Sequence, residues 1–346
     1  MHKRPYIVVD EQIPYLEGIT SQHARIVRLP YTGINSESVR KADALLVRTR
    51  TRCSAGLLGG SAVSFIGSPT IGTDHINMEY CTASQIEVVN APGCNAGAVM
   101  QYVFTALAAL AGDRSSDLCG KTLGIIGVGN VGSRVEKLAN GLGMKTLLHD
   151  PPRAEREGPE KFCDLDFLLK HADVVTLHVP LDKTTEGMAG TDFFRNMKKG
   201  ACFINTSRGP VVNEYALRCA ASHLGGIILD VWQGEPHICT DTLHVTHIAT
   251  PHIAGYSVEG KRNASQTVVR ALARHFSWED LKEYTVDLPP ACDVPSRLLF
   301  KACFPVMDED RRLRAAPERF EEQRNAYVFR REWTPEQYNR LNLCLQ

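Results

Sequence analysis

The sequence predicts an α/β protein with two parallel sheets, each covered by helices, followed by a small C-terminal domain. Three observations carry this. Short β-branched runs alternate with segments of helix length along most of the 346 residues. The runs are nearly continuously apolar, as strands buried on both faces are. The series breaks once, at a long apolar helix, and restarts at a glycine-rich turn. A chain this long with 43% hydrophobic residues can bury large cores and points to two or three domains.

In chain order, "YIVVDE", "ALLVRT", "VSFIG" and "IEVVN" predict the first set of strands. "AGAVMQYVFTALAALAG" contains Gln101 and Tyr102, falls short of the roughly 20 residues a bilayer needs, and reads as a buried helix from about Ala96 to Ala111. "LGIIG", "KTLLHD", "VVTLHV", "ACFINTS", "GIILDV" and "THIAT" predict the second set, the last taken as a strand over residues 243 to 249. Past "DLPPACDVP", where Pro289, Pro290 and Pro295 break the pattern, the tail turns rich in Arg and Glu. There "PERFEEQRNAYVFRREW" predicts an amphipathic helix with Phe320, Gln323 or Arg324, Tyr327 and Arg331 on one stripe. Its charged face is either solvated or part of a domain for self-association.

Lys plus Arg number 39 and Asp plus Glu 39, so no overall field draws the chain to nucleic acid or an anionic membrane. Any bound anion needs a local cluster of cations. The eleven cysteines are odd in number, irregularly spaced and without a CxxC pair, which argues against a disulfide framework or structural zinc and for reduced thiols in the cytoplasm. His244 and His247 point to opposite faces of the expected strand and cannot share a metal ion with each other.

In "LGIIGVGNVGSR", Gly127, Gly129 and Gly132 form G-x-G-x-x-G between a strand and a helix. The first permits a tight turn, the second a close approach of a pyrophosphate, the third close helix packing. The helix start at Asn130 and Val131 offers N–H groups to phosphates. Asp150 closes the next strand, where an acidic residue accepts from ribose hydroxyls and repels a 2′-phosphate, favouring NAD over NADP. Arg153 and Arg156 either soften that choice or are solvated. Val179 follows at the adenosine edge, and Thr206 and Ser207 end the following strand on the same side. Asp230 either meets a nicotinamide carboxamide or caps the next turn.

Three polar groups leave neighbouring apolar runs. Arg208 offers a bidentate fork for the carboxylate and adjacent oxygen of a 2-hydroxy acid, or forms a structural ion pair. His252 suits proton abstraction from a C2 hydroxyl, since imidazole titrates near neutrality. Glu235 can hold the other ring nitrogen and fix the tautomer. In "LLVRTRTR", Arg48, Arg50 and Arg52 recur at period two; a break in the strand just after Thr49 would turn Arg48 or Arg50 toward a substrate phosphate.

"GIIGVGNVG", "NTSRGPVV", "LDVWQGEP" and "TPHIAGYSVEGK" resemble the signature blocks of the D-isomer-specific 2-hydroxyacid dehydrogenases. "VDEQIPY", "GSPTIGTDHIN", "NAPGCNAGAVMQYVF", "LLHDPPRA" and "RREW" resemble one branch, whose substrate is a phosphorylated 2-hydroxy acid. The resemblance implies Arg208, Glu235 and His252 as the catalytic set, and Asp150, Thr206, Ser207, Asp230 and Gly255 at the cofactor. It implies a flavodoxin-like substrate domain in two parts, residues 1–92 and 254–285, around a Rossmann domain at 93–253, with a C-terminal domain at 286–346 forming a homodimer. Thr49, Thr70 and Tyr256 match its substrate positions. An enzyme acting on another acid, such as 3-phosphoglycerate, and an NAD-sensing binding module are the competing readings.

Overall fold

The computed structural model of the chain describes residues 4–112, 118–291, 300, 304–334 and 336–337. The chain forms two compact units, Met1–Asn95 with Val258–Pro290, and Ala96–Ser257 with Ala291–Gln346. Ala254–Ser257 and the described tail residues thus fall in the second unit, and the break expected at Pro295 lies outside the described residues.

The first unit is a five-stranded parallel sheet in the order β2-β1-β3-β4-β5. Its strands are β1 (Tyr6–Asp10), β2 (Arg25–Leu29), β3 (Ala44–Leu46), β4 (Phe65–Gly67) and β5 (Glu87–Val89). Along β1, Ile7 and Val9 face one core and Val8 faces the other, as the period of two requires. The helix Val258–His275 packs Val268, Val269 and Leu272 on the first of these faces. Gly67 permits that approach, because a Cβ there would lie 2.4 Å from Val268 Cγ1. Sequence reading missed β2. Arg25 and Arg28 interrupt its apolar run, a composition suited to the sheet edge it occupies.

β3 ends at Leu46, and the chain turns at once, with Thr51 N–H donating to the Arg48 carbonyl at 3.0 Å. The extended geometry thus breaks at Thr49, close to where the sequence placed the break, and Arg48, Arg50 and Arg52 do not alternate along a strand.

The second unit carries six parallel strands, β6 (Thr122–Ile126), β7 (Lys145–His149), β8 (Val174–Leu177), β9 (Cys202–Asn205), β10 (Gly226–Leu229) and β11 (Ile248–Ala249). Their order is β11-β10-β9-β8-β6-β7. On one face Ile125, Ile204 and Ile228 meet Tyr102 and Phe104 of the helix Ala96–Leu110; on the other Phe203, Ile227 and Leu229 meet Phe193 and Phe194. The tail joins both cores, Phe304, Val306 and Trp333 entering the first, Leu313 and Phe320 the second. Each such buried side chain contributes about 1.5–3 kcal/mol, so the tail is integral to this unit.

Two expectations are corrected. The segment expected as a strand from 243 to 249 is a helix over Thr240–Val245 followed by the two-residue β11. Thr242, Leu243 and Thr246 are its buried positions, a helical spacing, and the Thr246 hydroxyl donates to the Thr242 carbonyl at 2.7 Å. The tail helix stops at Ala326, so Tyr327 and Arg331 are not on it. Tyr327 is extended, and Arg330 is instead buried and bridged to Ser257.

Candidate active site

The six strands of the second unit run parallel, so their carboxyl ends share one edge. β6 pairs with β7 on one side and β8 on the other. Strand order reverses there, which is where open α/β sheets bind ligands.

The glycine-rich turn leaves β6 at that point. Gly127 has φ +86°, and a Cβ on it would lie 2.6 Å from the His178 carbonyl oxygen. A Cβ on Gly132 would lie 2.1 Å from the Gly127 carbonyl oxygen, so the helix Asn130–Gly141 could not sit so close to the turn. Gly129 is different: a Cβ there meets nothing within 4 Å. Two glycines are needed for the turn itself, and the middle one keeps open space beside a helix N-terminus, as a pyrophosphate requires. These residues fit a dinucleotide.

Asp150 follows β7. Its carboxylate accepts from Val128 N–H at 2.7 Å and from Arg153 N–H at 3.0 Å. Those bonds fix it at the strand tip, and a carboxylate has capacity left for ribose hydroxyls. A cavity of about 630 Å³ opens beside it, lined among others by His149, Asp150, Pro151, Phe162 and Phe167. Arg153 donates to the Val128 carbonyl at 2.6 Å and grips Glu157 through two bonds of 2.8 and 2.6 Å. Its fork is engaged by its own helix, which favours NAD over NADP further. Asp150→Ala is expected to weaken NAD binding and narrow the gap to NADP, measured by calorimetric titration with each cofactor; an unchanged affinity ratio would contradict the placement.

At the exit of β8, next to Val179, stands His178, which sequence reasoning passed over. Burial pushes its pKa down to about 3, so the ring stays neutral. Its nitrogens lie 3.1 Å from the Thr176 hydroxyl and 3.4 Å from the Thr206 hydroxyl. The signal available was its place at the strand exit.

The turn after β9 is organised by Asn205, whose buried amide oxygen accepts from Ser207 N–H at 3.0 Å and the Ser207 hydroxyl at 2.6 Å. Its amide nitrogen donates to the Arg208 carbonyl at 3.0 Å. The half-buried Arg208 directs one Nη to the Ser207 carbonyl at 2.8 Å. A Cβ on Gly209 would lie 1.9 Å from the Trp232 carbonyl oxygen. That glycine lets the Arg208 turn touch the loop carrying Glu235.

Glu235 is held within that loop, one oxygen accepting from Trp232 N–H at 2.9 Å and the other 2.7 Å from His252 Nδ1. Burial alone would raise its pKa. The charge and hydrogen bond of His252, the Trp232 N–H and the charge of Arg324 outweigh burial and leave it below the usual carboxylate range. From beneath, the buried Glu214 accepts from Gln233 N–H at 2.6 Å and the Thr242 hydroxyl at 2.8 Å.

His252 itself has φ 58°, a left-handed conformation uncommon outside glycine. Asp230 supports it. The Asp230 carbonyl accepts from His252 N–H at 2.7 Å, and its buried carboxylate accepts from Ile253 N–H at 2.8 Å, Ala254 N–H at 2.9 Å and the Thr250 hydroxyl at 2.6 Å. Burial nonetheless raises the carboxyl above the usual range. Of the two roles the sequence left open for Asp230, anchoring the next turn is built in, and the turn it anchors is the one bearing His252.

A further anchor, which sequence reasoning missed, comes from the tail. Arg330 is 6% exposed and donates to the carbonyls of Ile253 and Tyr256, both at 3.1 Å, of Ala98 at 2.9 Å, and of Ala254. Its guanidinium stacks 4.4 Å over the Phe304 ring. "RREW" was visible as a motif; what its first arginine grips was not. Gly255 and Tyr256 complete the turn, with Tyr256 N–H donating to the Ile253 carbonyl at 2.9 Å.

The remaining candidates belong to the first unit. Thr49 is exposed in the turn after β3, and Arg48 donates to the Gln12 side chain. The Thr70 hydroxyl lies 2.7 Å from that of Ser68 and donates to the Gly72 carbonyl at 3.1 Å. Among the described residues, no group of three or more His, Cys, Asp or Glu could hold a metal ion, and no helix is long and apolar enough to cross a membrane.

The second unit therefore has the form of an NAD-binding dehydrogenase with a His–Glu pair and an arginine at adjacent strand exits. Residues 105–254 match the family model described as D-isomer specific 2-hydroxyacid dehydrogenase, NAD binding domain. The chain is 41% identical over 337 residues to an erythronate-4-phosphate dehydrogenase of Bacteroides thetaiotaomicron, covering 94% of this chain and 97% of that one. It is 37% identical over 347 residues to the enzyme of that name from Hydrogenovibrio crunogenus, covering 94% and 92%. The chain belongs to the D-isomer-specific 2-hydroxyacid dehydrogenase family, in the branch formed by the erythronate-4-phosphate dehydrogenases. Among solved structures it is similar to D-lactate dehydrogenase of Aquifex aeolicus complexed with NAD and lactic acid (TM-score 0.67, 26% identity, covering 80% of this chain and 97% of that one). It is also similar to NAD-bound 3-phosphoglycerate dehydrogenase of Entamoeba histolytica (TM-score 0.67, 25% identity, covering 83% and 100%).

Proposed function

We propose that the protein oxidises 4-phospho-D-erythronate at C2, giving (R)-3-hydroxy-2-oxo-4-phosphobutanoate, a step of vitamin B6 biosynthesis. The observation that carries the chemistry is the 2.7 Å contact between His252 Nδ1 and Glu235. With Nδ1–H donating to the carboxylate, the lone pair sits on Nε2, which takes the proton of the C2 hydroxyl. Glu235 steadies the imidazolium that results. Arg208 clamps the substrate carboxylate and the C2 oxygen, which orients the C2–H bond. NAD, when bound by the glycine-rich turn and Asp150, supplies the hydride acceptor.

The relatives' name supports the phosphorylated substrate, and Thr49, Thr70, Arg48 and Tyr256 are the proposed substrate contacts on the family's pattern. A homodimer in the cytoplasm is the assembly and location this reading carries. The test is NADH formation by pure protein from 4-phospho-D-erythronate, D-3-phosphoglycerate and D-erythronate side by side. The first should have the highest kcat/KM; preference for either of the others would replace the substrate.

A further inference from the structure

Resting on the function just proposed, we infer that Arg324, on the C-terminal tail, is the cation that receives the substrate phosphate. The tail helix Phe320–Ala326 brings its side chain to Tyr256, whose hydroxyl accepts from Arg324 Nε at 3.0 Å, with the guanidinium carbon 5.7 Å from the ring centroid. Tyr256 lies on the His252 turn. The charge of Arg324 is felt at Glu235, the carboxylate paired with His252.

The pairing of Arg324 sets it apart from its neighbours. Arg312 reaches Glu309 at 2.9 Å, Arg314 reaches Asp310 at 2.9 Å, and Arg319 is forked onto Glu322. Arg324 is 18% exposed in its side chain, yet its nearest carboxylate, Glu321, is 3.9 Å from Nη1, beyond hydrogen-bond length. Among the described residues its two Nη groups have no hydrogen-bond partner. A guanidinium whose stem is largely covered while its two Nη groups stay accessible and loosely paired is placed to take an anion. Its fork suits the oxygens of a phosphate monoester, and the Tyr256 hydroxyl, accepting from Nε, is a donor in its own right.

The substrate has two anionic ends. Arg208 takes the carboxylate, and a chain of zero formal charge must hold the other end by a local cation. In the first unit, Arg48 is bonded to Gln12 and Arg50 stacks 4.9 Å over Tyr31. Arg330 spends both of its Nη groups on backbone carbonyls. Arg324 is the arginine whose fork is open and whose neighbours are those of the catalytic pair.

The test compares Arg324→Met with the parent on 4-phospho-D-erythronate and D-erythronate. The ratio of kcat/KM for the phosphorylated over the unphosphorylated acid should fall by about ten- to a hundredfold, through KM, as loss of a charge-assisted bond predicts. Arg324→Lys should recover part of the ratio, because it keeps the charge without the fork. Equal loss on both acids would show that Arg324 serves only to hold Tyr256 and Glu235, and would overturn the inference. So would an unaltered ratio, or the same selective loss in Arg48→Met instead. If Arg324→Met does not fold, Arg324→Gln carries the comparison. A parent inactive on 4-phospho-D-erythronate would sink the functional reading itself, whereas an active parent with a variant of unaltered ratio sinks this inference alone.

Discussion

Replacing His252 with alanine is expected to lower turnover at saturating substrate by about 10²- to 10⁴-fold, the range for losing a positioned general base. Affinity for NAD should change little, because the glycine-rich turn and Asp150 belong to β6 and β7, at the other end of the sheet from β11. His252 holds a left-handed backbone that asparagine tolerates better than alanine. His252→Asn therefore separates loss of the base from distortion of the turn, and both variants should be equally inactive. A loss below tenfold in either would mean that another group takes the proton.

The second large effect is expected at a residue that touches none of the chemistry. Arg330→Leu removes donors from the carbonyls of Ala98, Ile253, Ala254 and Tyr256 in a buried setting. The Ile253 carbonyl keeps its bond from Tyr256 N–H, and each carbonyl left without a donor costs about 1–3 kcal/mol, against a total stability of about 5–15 kcal/mol. A loss of at least ~3 kcal/mol corresponds to a fall in Tm of about 6–12 °C. Because three of the four carbonyls lie in the turn after His252, kcat should fall as well, even at temperatures where the variant is folded. A Tm within about 2 °C of the parent would contradict the anchoring role.

The two residues divide what the sequence could and could not disclose. Arg208, Asp230 and His252 were legible because each is a polar side chain released where an apolar run stops, and in a parallel sheet such exits share one edge. Glycine spacing was legible for the same local reason, and the clashes that a Cβ would meet at Gly127 and Gly132 give its physical content. Arg330, Glu214 and Arg324 act on residues far away in the chain, and nothing in their local sequence says which carbonyl, loop or phenol they meet. β2 was hidden because its arginines obscure an edge strand's apolar residues. The tail helix was overextended because Phe320, Tyr327 and Arg331 fit a helical stripe, while in the fold Tyr327 and Arg330 leave the helix to enter the core around Phe304. Asp230 was placed at the right strand end, but its three donors show that it builds the turn bearing His252.

The most direct test of the central claim, oxidation at C2 by the His252–Glu235 pair beside Arg208, uses 4-phospho-D-erythronate deuterated at C2. Pure protein with NAD should produce reduced nicotinamide and a 2-oxo acid in equal amounts, the deuterium should pass from C2 to C4 of the nicotinamide, and Glu235→Gln should slow the reaction. A product that keeps deuterium at C2, or NADH formed at an undiminished rate by Glu235→Gln, would contradict the account.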